Sequence, residues 1–186
     1  MHKAIFLDKD GTLIKDVPYN VKPELITLED SCIEGLQALQ RKGFLLIIVS
    51  NQAGVAHGFF KEEELSGVKD RIESLLGGHA VYLDGFYYCP NHPEGALEYY
   101  RLNCGNRKPA PGMLLQAAED FRIDLSESWM LGDILHDVEA GNRAGCKSIL
   151  IDNGNETEWL WNEFNHPQFT ATNINQAAEF ILNSQA

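Results

Sequence analysis

The chain has 186 residues and a formal net charge of −12, with 44% hydrophobic and 23% charged residues. This length suits one domain with a full core, and the composition is typical of a soluble globular protein. The acidic balance argues against nucleic acid as a partner, because a phosphate backbone is bound by clustered Lys and Arg. A small phosphorylated substrate remains compatible with it, since exposed charges more than about 8 Å apart are largely screened at physiological salt.

The chain carries no sign of a membrane or secretory segment. It has no stretch of about 18 apolar residues, and no signal-peptide core follows Met1. We therefore expect a soluble, cytoplasmic, monomeric protein without a membrane partner. In a reducing compartment its scattered cysteines are expected to be buried thiols or metal ligands, not a disulfide framework: Cys32, Cys89, Cys104 and Cys146.

Strand-like and helix-like segments alternate along the chain. The apolar run Ala4–Leu7 predicts a buried strand, and Ser31 to Glu34 has the form of a capping box that opens a helix to about Lys42. Further strands are predicted at Phe44–Ser50, Leu83–Tyr88, Trp129–Leu131 and Ser148–Ile151, and further helices at Lys61–Leu76, Pro111–Phe121, Leu135–Ala144, Glu156–Phe164 and Ile174–Leu182. This alternation predicts an α/β fold with a doubly wound, mainly parallel sheet, formed by residues 1–186 as a single domain.

Two carboxylates follow the first predicted strand directly. Asp8 and Asp10 are two residues apart, so their side chains point the same way from an extended chain, and Gly11 and Thr12 follow as a turn. In open α/β sheets, ligands bind outside the carboxyl ends of the strands. Taken alone, the pattern also fits an ordinary acidic turn at the end of a strand.

Three later segments place reactive side chains at further strand ends. The second strand ends in Ser50, with Asn51 and Gln52 directly after it. Arg107 and Lys108 lie in a long loop, and Asp133 and Asp137 follow Trp129–Leu131. Each is a weak signal by itself, because polar turns and solvated lysines are common. In residue type and order, the four segments together resemble the haloacid dehalogenase (HAD) superfamily of phosphohydrolases.

The resemblance implies a Mg²⁺-dependent phosphomonoesterase that works through a phospho-aspartate. Asp8 corresponds to the nucleophile and Asp10 to the general acid and base, with Ser50 and Lys108 contacting the phosphoryl group. Mg²⁺ would be held by Asp8, the Asp10 carbonyl and Asp133, with Asp137 in the outer shell. A cation is also needed on physical grounds, since two like charges about 4 Å apart repel by about 4 kcal/mol at an effective dielectric of 20.

The loop that carries Lys108 resembles one particular group within this superfamily. The segment from Tyr87 to Pro93 and that from Cys104 to Leu114 are similar to D-glycero-D-manno-heptose 1,7-bisphosphate 7-phosphatases and to the related histidinol-phosphate phosphatases. The intervals between motifs are too short for a separate cap domain. The length of the loop favours the heptose group, which implies a small sugar phosphate as substrate and leaves histidinol phosphate as the alternative.

The same loop carries an incomplete metal-binding pattern. In the resembling group it holds zinc through Cys-x-His and Cys-x-Cys, whereas this chain has Cys89, Asn91, Cys104 and Asn106 at those positions. If His92, one residue later, took the place of Asn91, the site would still have only three ligands. Amides are poor zinc ligands beside thiolate and imidazole, so we expect Cys89, His92 and Cys104 to hold no structural zinc.

The resemblance also implies substrate contacts from Asp16, Tyr19, Asn51, Gln52, Ala53 and Arg107. Arg107 could pair a second phosphate or sugar hydroxyls through its planar guanidinium. Some relatives carry a basic residue directly after the metal-binding aspartate, where this chain has Ile134.

Three other functions fit the sequence less well. A response-regulator receiver domain lacks an acid two residues after the phosphoacceptor, which Asp10 supplies here. A non-catalytic binding protein is disfavoured because all four motifs are intact. A polynucleotide 3′-phosphatase shares the first motif, but the net charge of −12 and the absence of a basic stripe disfavour it.

Overall fold

The computed structural model describes residues 1–184, and its centre is the first strand, β1 (Lys3–Leu7). Ala4 and Phe6 point into one hydrophobic cluster, whereas Ile5 and Leu7 point into the cluster on the opposite side of the sheet. All four side chains are fully buried. A strand covered on both faces has this continuous apolar sequence, which is why the run Ala4–Leu7 predicted it.

Six parallel strands form one sheet in the order β3-β2-β1-β4-β5-β6. The other strands are β2 (Phe44–Asn51), β3 (Gly85–Cys89), β4 (Trp129–Gly132), β5 (Lys147–Ile151) and β6 (Phe169–Ala171). The predicted α/β class and the parallel sheet are confirmed. Within residues 1–184 no cap module interrupts the sheet, and no helix is long and apolar enough to cross a bilayer.

Helices cover both faces of the sheet, as expected for a doubly wound fold. One face packs against α1 (Ile33–Arg41), α3 (Leu65–Gly77) and α6 (Ile174–Asn183). The other packs against α4 (Gly112–Phe121) and α5 (Leu135–Ala144). A short helix, α2 (Ala53–Ala56), follows β2 directly. Helix α5 ends at Gly145, whose φ of 94° provides the left-handed turn that stops it.

Two local predictions are wrong. Residues 156–164 form no helix, because asparagine side chains bond to the nearby backbone instead: Asn165 accepts from the N–H of Asn162 and donates to the carbonyl of Leu160. The predicted capping box at Ser31 does not form either. The Gly35 N–H in the first turn of α1 donates to Asn175 of α6 at 2.7 Å, so a distant residue satisfies it.

Candidate active site

Lys108 joins two buried aspartates where the strands end. Its Nζ lies 2.5 Å from Asp8 Oδ1 and 2.6 Å from Asp137 Oδ1, and it also donates to the Val49 carbonyl at 2.9 Å. Asp8 directly follows β1, and Asp137 lies in the first turn of α5. Burial by itself would lower the pKa of Lys108, but Asp137 and Asp8 outweigh it and raise that pKa. The lysine is therefore held as a cation.

Asp133 completes a cluster of three buried carboxylates. It follows β4, and its ligand oxygen lies within 4.8 Å of those of Asp8 and Asp137. Thr12 donates to its Oδ1 at 3.3 Å, and Asn155 donates to its Oδ2 at 2.7 Å. A side chain at Gly11 would collide with both Asp133 and Asn155, so this turn has room only for glycine. The glycine of the acidic motif thus keeps the turn against Asp133.

The cluster has more negative charge than Lys108 can balance. Burial, followed by the charge of Asp137, raises the pKa of Asp133 to about 6. Burial also raises the pKa of Asp8 well above its usual value, although Lys108 opposes this. Clustered carboxylate oxygens with uncompensated charge are the donor set that a hard divalent cation such as Mg²⁺ requires. The residues present therefore fit such an ion.

This imbalance predicts how the stability of the metal-free protein depends on pH. A carboxyl whose pKa is raised on folding stabilises the protein below its unfolded pKa, and the stabilisation is lost as the pH rises through the folded value. For Asp133 the loss between about pH 5 and pH 7.5 is about 1–2 kcal/mol. We expect metal-free protein to melt roughly 5 °C lower at the higher pH, and added Mg²⁺ to reverse this.

Differential scanning calorimetry at both pH values, with EDTA and with Mg²⁺, measures the effect. The matched variant Asp133→Asn cannot ionise at this position, so its melting temperature should depend less on pH. An equal pH dependence in the two proteins would contradict the assignment to Asp133.

Asp10 is held differently from Asp8. Lys9 Nζ lies 2.5 Å from Asp10 Oδ1, and Gln52 donates to Asp10 Oδ2 at 3.2 Å. The same Gln52 amide donates to Ser50 Oγ at 2.7 Å. Gln52 therefore connects the end of β2 to the acidic motif, and Ser50 is fully buried beside it.

Asn51 fixes the backbone at Lys108. Its Nδ2 donates to the Lys108 carbonyl and its Oδ1 accepts from the Lys108 N–H, both at 3.0 Å. Both polar atoms of the side chain are thus engaged by the loop. Direct contact of Asn51 with substrate stays a prediction, and the observed contacts assign it to positioning Lys108.

A cleft of about 390 Å³ opens above Asp10. Its wall includes all six residues that the sequence predicted as substrate contacts, Asp16, Tyr19, Asn51, Gln52, Ala53 and Arg107, together with Ile134 and His136. Tyr19 is 55% exposed and makes an edge-to-face contact with Phe59 at 4.6 Å. Burial lowers the pKa of Arg107, whose Nη1 donates to the Asn91 carbonyl at 3.4 Å. The structure thus brings these residues together, and their roles stay predictions.

The three side chains of the incomplete zinc pattern, Cys89, His92 and Cys104, do not converge on one point. Cys89 Sγ lies 3.3 Å from Cys104 Sγ, whereas His92 Nδ1 accepts the Glu94 N–H and its ring packs against His57. Among residues 1–184, Asp8, Asp133 and Asp137 form the one group of three or more possible metal-ligating side chains. Asn91 Oδ1 lies 3.9 and 3.6 Å from the sulfurs of Cys89 and Cys104.

Several residues of the site were not predicted from the sequence. Lys9 is 1% exposed although a lysine between two acids usually faces solvent. Asn153 donates to the Gly11 carbonyl at 2.6 Å, and Asn155 contacts Asp133. The asparagines follow the predicted strand Ser148–Ile151, so their position at the same edge of the sheet was a usable signal.

Comparison with known proteins places this geometry among phosphatases. Residues 105–177 match the HAD-hydrolase-like family model. The chain is 44% identical over 151 residues to the D-glycero-beta-D-manno-heptose-1,7-bisphosphate 7-phosphatase of Pasteurella multocida, covering 81% of this chain and 82% of that protein. The Photorhabdus laumondii protein of the same name is 37% identical over 185 residues, covering 98% and 91%. The crystal structure of D,D-heptose 1,7-bisphosphate phosphatase from B. bronchiseptica, complexed with magnesium and phosphate, matches with a TM-score of 0.78 at 25% identity, covering 98% and 99%.

Proposed function

Because this chain belongs to the D-glycero-beta-D-manno-heptose-1,7-bisphosphate 7-phosphatase family of HAD-like phosphatases, we propose that it removes the 7-phosphate of a heptose 1,7-bisphosphate through a phosphorylated Asp8. The observation that carries the mechanism is the buried contact of Lys108 with Asp8, two residues before Asp10, which lines the open cleft. We also propose that residues 1–186 act as one catalytic domain, which the single sheet of residues 1–184 supports.

Asp8 acts as the nucleophile in this proposal. Lys108 binds Oδ1, so Oδ2 is the oxygen left to attack phosphorus. The bond from Asp8 to phosphorus forms while the bond from phosphorus to the sugar oxygen breaks. Lys108 stays beside the reacting group and neutralises part of its charge. The Ser50 hydroxyl donates a hydrogen bond to a phosphoryl oxygen.

Asp10 acts first as the general acid and then as the general base. It gives a proton to the departing sugar oxygen, and it then takes one from the water that hydrolyses phosphorylated Asp8. Lys9 and Gln52 contact the two oxygens of its carboxylate and hold the side chain at the wall of the cleft.

The family implies Mg²⁺ as the cofactor, and the carboxylate cluster fits it. Asp8, Asp133 and the backbone carbonyl of Asp10 would hold the ion, with Asp137 behind them. A bound cation supplies charge neutralisation for the phosphoryl group.

Arg107 supports a substrate with a second anionic group. It lines the cleft, and within residues 1–184 no carboxylate is recorded within ion-pairing distance of its guanidinium. Lys9, the other cation on the cleft wall, is paired with Asp10. Arg107 is therefore the group we assign to the 1-phosphate.

Phosphate release from a panel of substrates tests the proposal. The panel contains both anomers of heptose 1,7-bisphosphate, the matching heptose 7-phosphate, fructose 1,6-bisphosphate and histidinol phosphate, each with Mg²⁺. We expect the highest kcat/KM with one heptose bisphosphate. The variant Arg107→Gln should lose about 10- to 100-fold in kcat/KM for that bisphosphate, mainly through KM, and much less for the monophosphate.

Two results would contradict parts of this proposal. Activity on histidinol phosphate alone would keep the chemistry and overturn the substrate. No release from any compound would overturn the substrate class as a whole.

A further inference from the structure

Two thiols touch at the base of the loop that precedes Arg107. Cys89 is the last residue of β3, and Cys104 lies at the far end of loop 90–103. Their sulfurs are 3.3 Å apart, whereas a disulfide bond is about 2.0 Å long. Only a small approach of the two side chains therefore separates this contact from a covalent bond.

The other two cysteines lack such a neighbour. Cys32 belongs to the hydrophobic cluster on the α1 side of the sheet, and Cys146 is buried before β5. Among the thiols of residues 1–184, a sulfur–sulfur contact is recorded for Cys89 and Cys104 alone. The contact between their sulfurs therefore distinguishes Cys89 and Cys104 from the other two cysteines.

We propose that Cys89 and Cys104 are a redox-active pair that closes to an intramolecular disulfide when a disulfide oxidant such as oxidised glutathione is present. Cys104 is half-buried and Cys89 is 1% exposed, so the oxidant meets Cys104 first. Cys104 Sγ attacks one glutathione sulfur and releases the other as a thiolate. Cys89 Sγ then attacks Cys104 Sγ and releases the second glutathione. Both cysteines lose a proton and together lose two electrons, which reduce the oxidant to two thiols.

The new bond would tie β3 to the loop before the catalytic lysine. Arg107 N–H already donates to the Cys104 carbonyl at 3.2 Å, and Asn51 holds Lys108 on the other side. Neither thiol lines the cleft, so the disulfide should leave the cleft open. Closing loop 90–103 restricts the unfolded chain more than the folded one, and the oxidised protein should melt roughly 5 °C higher.

Thiol chemistry on the full-length protein tests this without relying on phosphatase activity. Wild-type protein is incubated with oxidised glutathione, and free thiols, intact mass and protease-generated peptides are measured. We expect the four free thiols to fall to two and a peptide link from Cys89 to Cys104. The matched variant Cys32→Ser should still form the link, whereas Cys104→Ser should keep its remaining thiols free.

Three results would overturn the proposal. The first is no loss of thiols in the wild type, and the second is a link that includes Cys32 or Cys146. The third is a glutathione adduct that remains on Cys104 without closing. The peptide map of the wild type gives each answer even if a variant fails to fold.

Discussion

Replacing Asp8 by asparagine is expected to lower phosphate release by at least about a thousandfold while the fold is kept. The amide has the size of the carboxylate, and its oxygen can still accept from Lys108. It cannot, however, act as the nucleophile that the proposed mechanism requires. Steady-state phosphate release from the preferred substrate with Mg²⁺ measures the effect.

The same variant should be at least as stable as the wild type at neutral pH. Burial raises the pKa of Asp8, so its charged form is costly in the metal-free protein, and asparagine removes that cost. Asp30→Asn is the matched control, because that carboxylate is 89% exposed and away from the cleft. Turnover by Asp8→Asn protein near the wild-type rate would rule out phosphorylation of Asp8, provided that intact mass excludes deamidation of the new amide.

Removing the charge of Lys108 should cost both stability and activity. Lys108→Met keeps a long apolar side chain but leaves Asp8 and Asp137 buried without their cation. Breaking a buried ion pair on one side costs about 3–5 kcal/mol, so the free energy of unfolding should fall by about that amount. The loss of transition-state charge stabilisation should lower kcat about 100-fold or more. Urea unfolding and phosphate release measure the two effects.

A second substitution separates the two effects. Combining Lys108→Met with Asp137→Asn removes one of the stranded charges, so much of the lost stability should return while activity stays low. The double-mutant cycle then gives the coupling between the two side chains. An unfolding free energy for Lys108→Met equal to that of the wild type would contradict the buried ion pair.

Much of the fold could be predicted because buried strands have a distinctive sequence. Ala4–Leu7 and Phe44–Ser50 were each found to within one residue, since both are covered on two faces and almost wholly apolar. Strand β6 was missed because it has three residues, one of them an exposed threonine. Residues 156–164 were misassigned because the Asn165 side chain bonds to the backbone of Asn162 and Leu160 in place of helical hydrogen bonds.

Site residues placed by the order of the strands could be predicted from the sequence. Contacts that depend on where individual side chains point were harder to predict. Asp8 and Asp133 directly follow strands and Ser50 lies near the end of β2, so a parallel sheet had to bring them to one edge. The burial of Lys9 and the contact of Asn155 with Asp133 follow from packing between distant segments. No local pattern encodes those contacts.

The two aspartates of the first motif obtain their counter-ions from very different distances along the chain. Asp10 pairs with Lys9, its direct neighbour in the sequence. Asp8 pairs with Lys108, which lies 100 positions away and reaches it only after β1, β2 and the long loop have assembled. The acidic motif alone therefore does not make a nucleophile. Catalytic competence is a property of the completed tertiary structure.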